Sequence, residues 1–157
     1  MSSVKKEKNF EIFEMSKNDI GQVFTIEKEN FNFPWSQNIF NDCIDNGYIC
    51  KIICNDEKIV GYSISSALSL EFHIMNISIT KQFQNHGLAR MMIQDSYINA
   101  LKNNCNVIFL ECRPSNKIAI HLYESEGFSE VGIRKDYYPS QNGKEDGIIS
   151  AKQIFNK

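Results

Sequence analysis

Val107-Ile108-Phe109-Leu110 is an unbroken apolar run, partly β-branched, set between two segments of helical periodicity. Such a run reads as a short buried strand, so the chain must build a sheet with helices laid against it. Upstream, Gly87 to Asn104 carries Leu88, Met91, Met92, Asp95 and Ile98 near helical spacing, which predicts a long helix. Downstream, Lys117 to Glu126 reads as a helix capped by Ser115 or Asn116 and stopped by Gly127.

The flanks supply further strands and helices. Asn9 to Met15 spaces Phe10, Ile12, Phe13 and Met15 as a first strand. Ser16-Lys17-Asn18-Asp19 has the form of a capping box opening a helix with Ile20, Val23, Phe24 and Ile26 inward. Phe33-Pro34-Trp35 interrupts that helix, and Ser36 can cap a second, short one carrying Ile39, Phe40 and Ile44. Tyr48 to Cys54 and Lys58 to Ser66 are strand candidates joined by a turn at Asn55-Asp56-Glu57. Leu70 to Thr80 alternates less cleanly, with Phe72, Ile74, Ile77 and Ile79 as its apolar members. Phe128 to Tyr138 and Gly147 to Phe155 finish as two strands. This order predicts an α+β fold with a mixed sheet, not a strict βαβ alternation.

Composition narrows the function classes. The 157 residues, 42% hydrophobic and 23% charged, suit one soluble domain over residues 1–157, with the polar stretch 1–8 expected to be flexible. Seventeen basic against nineteen acidic side chains leave a net charge of -2, without the basic excess of a nucleic-acid-coating protein. Any phosphate-bearing ligand must then be held by a local site. No signal peptide and no membrane helix is expected, and an odd set of five cysteines, Cys43, Cys50, Cys54, Cys105 and Cys112, suits a reducing cytoplasm. Their spacing favours small buried side chains over a zinc site, and no metal is expected.

The stretch from Asn76 to Arg90 carries the chemistry. A strand runs through a short loop into a helix that begins with small residues, which presents unpaired N–H groups and the positive end of a helix dipole. Gly87 and Ala89 lack bulk, so phosphates can approach the backbone, and Arg90 is the chief nearby cation. The segment is neither a P-loop nor a dinucleotide fingerprint. On these residues alone it is equally an ordinary helix start.

Gln84-x-x-Gly87-x-Ala89 is similar to the signature loop with which the GCN5-related N-acetyltransferase (GNAT) superfamily grips the pyrophosphate of acetyl-CoA. The resemblance continues through Leu110-Glu111-Cys112-Arg113 and, more specifically, through Asn116-x-x-Ala119-x-x-Leu122-Tyr123-Glu124-x-x-Gly127-Phe128. Phe33-Pro34-Trp35-Ser36, Arg134 to Pro139, and Glu145 to Ile149 resemble the bacterial ribosomal-protein-alanine N-acetyltransferases. The likeness covers roughly Phe10 to Ile154. Lys81 stands where that family often has proline, Asn85 where it usually has a basic residue, and Gly147 where alanine is usual.

The resemblance implies the GNAT fold, a mixed and mostly antiparallel sheet flanked by helices. It also implies acetyl-CoA as co-substrate and the N-terminal alanine of a small-subunit ribosomal protein as acceptor, reached by direct transfer through a tetrahedral intermediate. The partner would be a protein tail, with no nucleic acid or membrane involved. Glu111 would accept the amine proton and Tyr123 would protonate the leaving thiolate. Backbone amides of Ile77, Ser78 and Ile79 would meet the acetyl carbonyl and pantetheine. Asn85, His86, Gly87, Leu88, Ala89 and Arg90 would contact phosphates, and Asn116 would hold CoA.

Each role has a structural counterpart. The plain structural reading of Glu111 is a solvated strand end and of Tyr123 a core tyrosine beside Leu122 and Phe128, with the functional reading preferred for both; Asn116 as a helix cap is compatible with holding CoA. Trp35, Tyr137 and Tyr138 are either core or walls of a peptide cleft. His86 and His121 have no evident Asp or Cys partner, and Cys112 alternates away from Glu111, so neither a histidine base nor a thiol nucleophile is favoured. A broader protein N-terminal or small-amine acetyltransferase, or a non-catalytic acyl-CoA-binding module, fits the same motifs.

Overall fold

The chain's computed structural model describes residues 9–154; the stretch 1–8 and Phe155 lie outside the described residues. Local signals set most of the elements. Ser16 and Asp19 form the expected capping box, with the Ser16 N–H donating to the Asp19 carboxylate at 2.8 Å. It caps one 3₁₀ turn, and α1 (Ile20–Asn30) follows directly. Ser36 caps α2 (Gln37–Asp45), accepting from the Ile39 N–H at 3.3 Å. Asn116 caps α4 (Lys117–Ser125), and Gly127 in the left-handed region ends it.

Among the described residues the strands are β1 (Phe10–Glu14), β2 (Ile49–Asn55), β3 (Lys58–Leu68), β4 (Glu71–Ile79), β5 (Val107–Cys112), β6 (Ser129–Ser140) and β7 (Gly143–Gln153). They make one seven-stranded sheet in the order β1-β2-β3-β4-β5-β7-β6. Every neighbouring pair is antiparallel except β4–β5, which is parallel and linked through α3 (Leu88–Lys102). The fold is α+β with a mixed sheet.

The two faces are covered by different helices. On one, α1 and α2 bury Ile20, Val23, Ile26, Phe40 and Cys43 against Ile52, Tyr62 and Ile64. On the other, α3 and α4 cover Phe72, Ile74, Ile108 and Leu110, and α3 also packs Leu88 and Met92 on Ile53, Val60 and Ile79. At Gly61 a Cβ would stand 2.5 Å from Ile79 Cδ1 and 2.8 Å from the Ser78 carbonyl oxygen, so only glycine lets β3 and β4 close there.

Several sequence expectations shift. The buried stripe of α3 is Leu88, Met92, Ile93, Ser96 and Ala100. Ile98, expected inward, lies almost opposite that stripe and is 54% exposed. Phe24 is only half-buried, because the inward face of α1 runs through Ile20, Val23, Ile26 and the carboxylate Glu27. Ile39 turns outward on α2, and Cys43 takes the inward place. The last strand starts at Gly143, four residues before the expected Gly147, because it pairs with a longer β6.

Two bulges matter for the site. In β4, Asn76 pairs with Ile64 and Ile74 with Ser65, leaving Met75 as an extra residue. That residue reverses the alternation, so Ile74 and Ile77 share one face while Asn76 reaches α1 on the other. In β6, Arg134 pairs with Gly147 and Tyr138 with Glu145, so residues 135–137 stand opposite Asp146 alone. This wide irregularity re-aims Tyr137 and Tyr138.

Candidate functional site

Pairing between β4 and β5 stops at Ile74–Leu110. Beyond it, β4 continues beside β3 to Ile79 and β5 continues beside β7 to Cys112. The sheet therefore splits into a wedge whose β4 edge has no ladder partner among the described residues. The Thr80 N–H donates to the Val60 carbonyl at 2.8 Å, which fixes the phase of that edge. Ser78 then directs its backbone to β3, while Ile77 and Ile79 face the wedge. Of the three amides expected at the site, the Ser78 amide is thus spent on the sheet. Ser78 contributes its hydroxyl instead, which accepts from Asn30 Nδ2 at 2.5 Å. The Ile79 carbonyl is held by Asn30 Nδ2 at 2.7 Å and by Gln84 Nε2 at 2.9 Å. The motif glutamine thereby fastens the loop to the end of β4.

That loop makes one 3₁₀ turn over Lys81–Phe83, runs extended at Gln84, and enters the left-handed region at Asn85 (φ 65°) and Gly87 (φ 78°). Asparagine tolerates that region better than a long basic side chain. Gly87 starts α3 without any side-chain cap, so the N–H groups of Leu88, Ala89 and Arg90 have no intrahelical acceptor. Nothing lies within 4 Å of where a Gly87 Cβ would stand, so an anion can reach them. His86 is exposed, with Nδ1 3.0 Å from the Gln84 carbonyl oxygen. Leu88 sends its side chain into the core and leaves only its backbone to the loop. Arg90 differs from expectation. Its guanidinium pairs with Glu126 Oε1 at 2.5 Å and donates to Ser125 Oγ at 3.0 Å, committing its charge to the end of α4.

The wedge opens into a cleft of 750 Å³ lined by residues from β4, β5, α1, α4 and the β6–β7 hairpin. Glu111 and Tyr123 both line it. They approach from opposite faces of the sheet. Leu110 and Cys112 belong to the cluster under α3 and α4, together with Tyr123, so the residue between them points to the α1–α2 face. Arg134 Nε lies 3.0 Å from Glu111 Oε1, and burial, then this nearby carboxylate, holds the Tyr137 phenol above its ordinary value. Tyr123 is 7% exposed and packs its ring 6.2 Å from Phe128, so its core and cleft positions coexist. Burial first, and then Cys112 and Tyr138 nearby, push its phenol well above the ordinary value. Burial likewise holds the Cys112 thiol up at about 11, which leaves it a poor nucleophile near neutral pH. Asn116 lines the cleft with its Oδ1 already accepting from the Ala119 N–H at 3.2 Å, so its amide N–H groups remain for a ligand.

The outer wall is latched. Arg113 donates to the Pro139 carbonyl at 2.7 Å and pairs with Glu145 at 3.3 Å, with its guanidinium 4.6 Å from the Tyr138 ring centre. Glu145 also accepts from the Ser115 N–H at 2.8 Å, and the Ser115 and Arg113 donors hold its carboxyl below the usual range. Gly147 sits beneath Tyr137 and Tyr138, where an alanine Cβ would be 3.2 and 3.3 Å from the two rings. Sequence reasoning missed Glu27, Arg134 and this latch. Only Glu27 carried a signal, as the one acidic position on an otherwise apolar helix face.

Among the described residues no group of histidine, cysteine and acidic side chains could hold a metal ion, and no helix is long and apolar enough to cross a membrane.

Comparison with known proteins gives concordant results. The profile of the family described as Acetyltransferase (GNAT) family matches residues 13–128. The [ribosomal protein bS18]-alanine N-acetyltransferase of Salmonella typhimurium is 34% identical over 140 residues, 89% of this chain and 95% of that protein. The protein of the same name from Escherichia coli K12 is 32% identical over 143 residues, 91% of this chain and 97% of its own length. Among solved structures, the ribosomal-protein-S18-alanine N-acetyltransferase from Escherichia coli superposes with a TM-score of 0.88 at 31% identity, covering 95% of this chain and 96% of that one.

Proposed function

The chain belongs to the acetyltransferase (GNAT) family, and we propose that it transfers the acetyl group of acetyl-CoA to the N-terminal alanine of a small-subunit ribosomal protein. One observation carries the reading: the wedge has a carboxylate on one face of the sheet and a protonated phenol on the other. A thioester lying in the gap would meet both. In this reading the chain is one cytoplasmic domain over residues 1–157, and its ligands are the acetyl donor and a protein tail.

The residues present fit acetyl-CoA. Three acceptor-less N–H groups at the start of α3, with those of Asn85 and His86 before them, suit a pyrophosphate. Ile77 and Ile79 offer backbone groups to an extended amide chain, and Asn116 offers its side-chain amide. The bound donor supplies an activated acyl carbon and a thiolate leaving group. One N–H of the β4 edge serves as oxyanion donor for the tetrahedral intermediate.

Glu111 takes a proton from the acceptor nitrogen as the C–N bond forms, directly or through water. Tyr123 gives its proton to the sulfur as the C–S bond breaks, and solvent restores both groups. The products are the acetylated amine and CoA thiol, so atoms and charge balance. Because burial raises Tyr123 above the ordinary tyrosine value of about 10, it keeps its proton throughout the working range. Turnover should therefore rise with pH as the amine deprotonates, and show no falling limb below about pH 10. A descending limb near pH 8 in a kcat–pH profile would exclude Tyr123 as the donor.

The acceptor assignment draws support from relatives named for that alanine and from the aromatic walls Trp35, Tyr137 and Tyr138. CoA release with peptides that differ only in the first residue tests it. A preference for alanine is expected; equal rates would indicate a broad N-terminal or small-amine acetylase. No release with any amine would indicate an acyl-CoA-binding module.

A further inference from the structure

We propose, granted the N-acetyltransferase function above, that Glu27 is the receptor for the charged α-ammonium group of the acceptor. It lies on α1, is 2% exposed, and lines the same cleft as Glu111. Three neutral donors converge on it. The Tyr62 hydroxyl reaches Oε1 at 2.5 Å, Asn76 Nδ2 reaches Oε1 at 2.8 Å, and the Trp35 backbone N–H reaches Oε2 at 2.8 Å. Burial, and then the carboxylate itself, push the Tyr62 phenol far up, so it remains a donor.

These bonds fix the side chain without neutralising it. Among the described residues no lysine, arginine or histidine pairs with Glu27, whereas Glu111 already has Arg134. A buried carboxylate normally acquires a countercharge. Among the described residues three donors meet roughly four acceptor positions on Glu27, which leaves one for a ligand. Its position completes the inference. Through Asn76 it borders the β4 side of the wedge, and Glu111 borders the β5 side on the same face. An N-terminal amine arrives mostly protonated at neutral pH, since its reference pKa is about 7.7–8.0. Glu27 holds that cation while its first proton passes to solvent in the open cleft, leaving the neutral amine to attack and Glu111 to take the second proton as the C–N bond forms. Glu27 also orders the Trp35 loop, so charge selection and the aromatic wall share one anchor.

The test compares binding of an alanine-initiated peptide with that of its propionyl analogue, which lacks only the α-amino group, at pH 6 by calorimetry. Wild-type protein should prefer the amino peptide by about tenfold or more, about 1.4 kcal/mol. Glu27→Gln should abolish the preference while leaving acetyl-CoA affinity intact. Glu111→Gln should retain it, because Arg134 already balances that site. Glu27→Asp, which keeps the charge, should keep part of the preference; a purely structural role would make it fail like glutamine. Equal wild-type affinities, or a preference that survives Glu27→Gln, would overturn the assignment. So would a stably folded Glu27→Asp protein with none. Binding needs no turnover, so failure of the acetyltransferase reading would show separately, as absence of CoA release from wild-type protein.

Discussion

Glu111→Gln is expected to lower kcat by about 10²–10⁴-fold, the range a positioned general base contributes. The amide keeps nearly the same shape, but it cannot take the proton of the attacking nitrogen. It also leaves Arg134 Nε, 3.0 Å away, without its anion. Acetyl-CoA affinity should hold, since the α3 N-terminus and the β4 edge lie apart from this side chain. Tyr123→Phe is expected to cost a comparable factor for a different reason. It retains the packing on Phe128 and removes only the hydroxyl that protonates the sulfur. Steady-state CoA release and equilibrium CoA binding, measured on both variants, separate these effects. Wild-type turnover in either one would remove that residue from the mechanism.

Phe40→Ala should cost about 3–5 kcal/mol of stability, as for a fully buried phenylalanine. At about 2–4 °C per kcal/mol for a chain of this size, calorimetry should show a large drop in melting temperature. The ring is wholly enclosed. Its edge meets Tyr62 at 5.6 Å with an interplanar angle of 89°, and Trp35 tilts over it at 5.4 Å. The cavity would open directly beneath the side chains that orient Glu27 and the Trp35 loop. Peptide KM should therefore rise along with the loss of stability, while acetyl-CoA KM changes little. A melting temperature within a few degrees of wild type would show that the core refills around this position.

What the sequence disclosed follows the range of the forces involved. Ser16 with Asp19, Ser36, Asn116 and Gly127 act within one turn of their own position, and each marks a helix end where expected. The uneven alternation of β4 had a physical meaning that a single strand could not reveal. The three-residue step from Ile74 to Ile77 is the bulge at Met75, visible only once Ile64 and Ser65 stand opposite. The α3 face was misjudged at Ile98 because its inward direction depends on which strands lie below; Met91 does pack, half-buried, on the cluster under α3, whereas Ile98 keeps helical spacing on the exposed side. Glu111, Tyr123 and the Gln84–Arg90 loop were legible from short motifs. Arg134 and the Arg113–Glu145 latch were not, because their partners are brought together by the β6–β7 hairpin across 23 and 32 residues of chain respectively.

The parallel seam from Glu71–Val107 to Ile74–Leu110 is the shortest ladder joining two halves of the sheet. By backbone pairing alone this seam is the weakest join between an N-terminal and a C-terminal unit of the sheet, and the side chains of Phe72, Ile74, Ile108 and Leu110 in the core under α3 and α4 hold it closed. The N-terminal unit carries Glu27, Ile77, Ile79 and the start of α3; the C-terminal unit carries Glu111, Tyr123 and the aromatic hairpin. Any scissoring across the seam widens or narrows the aperture while the proton acceptor and proton donor travel as one rigid body. Mutations along the seam would then shift both proton-transfer groups together against the β4-edge amides, keeping acceptor and donor in register with each other.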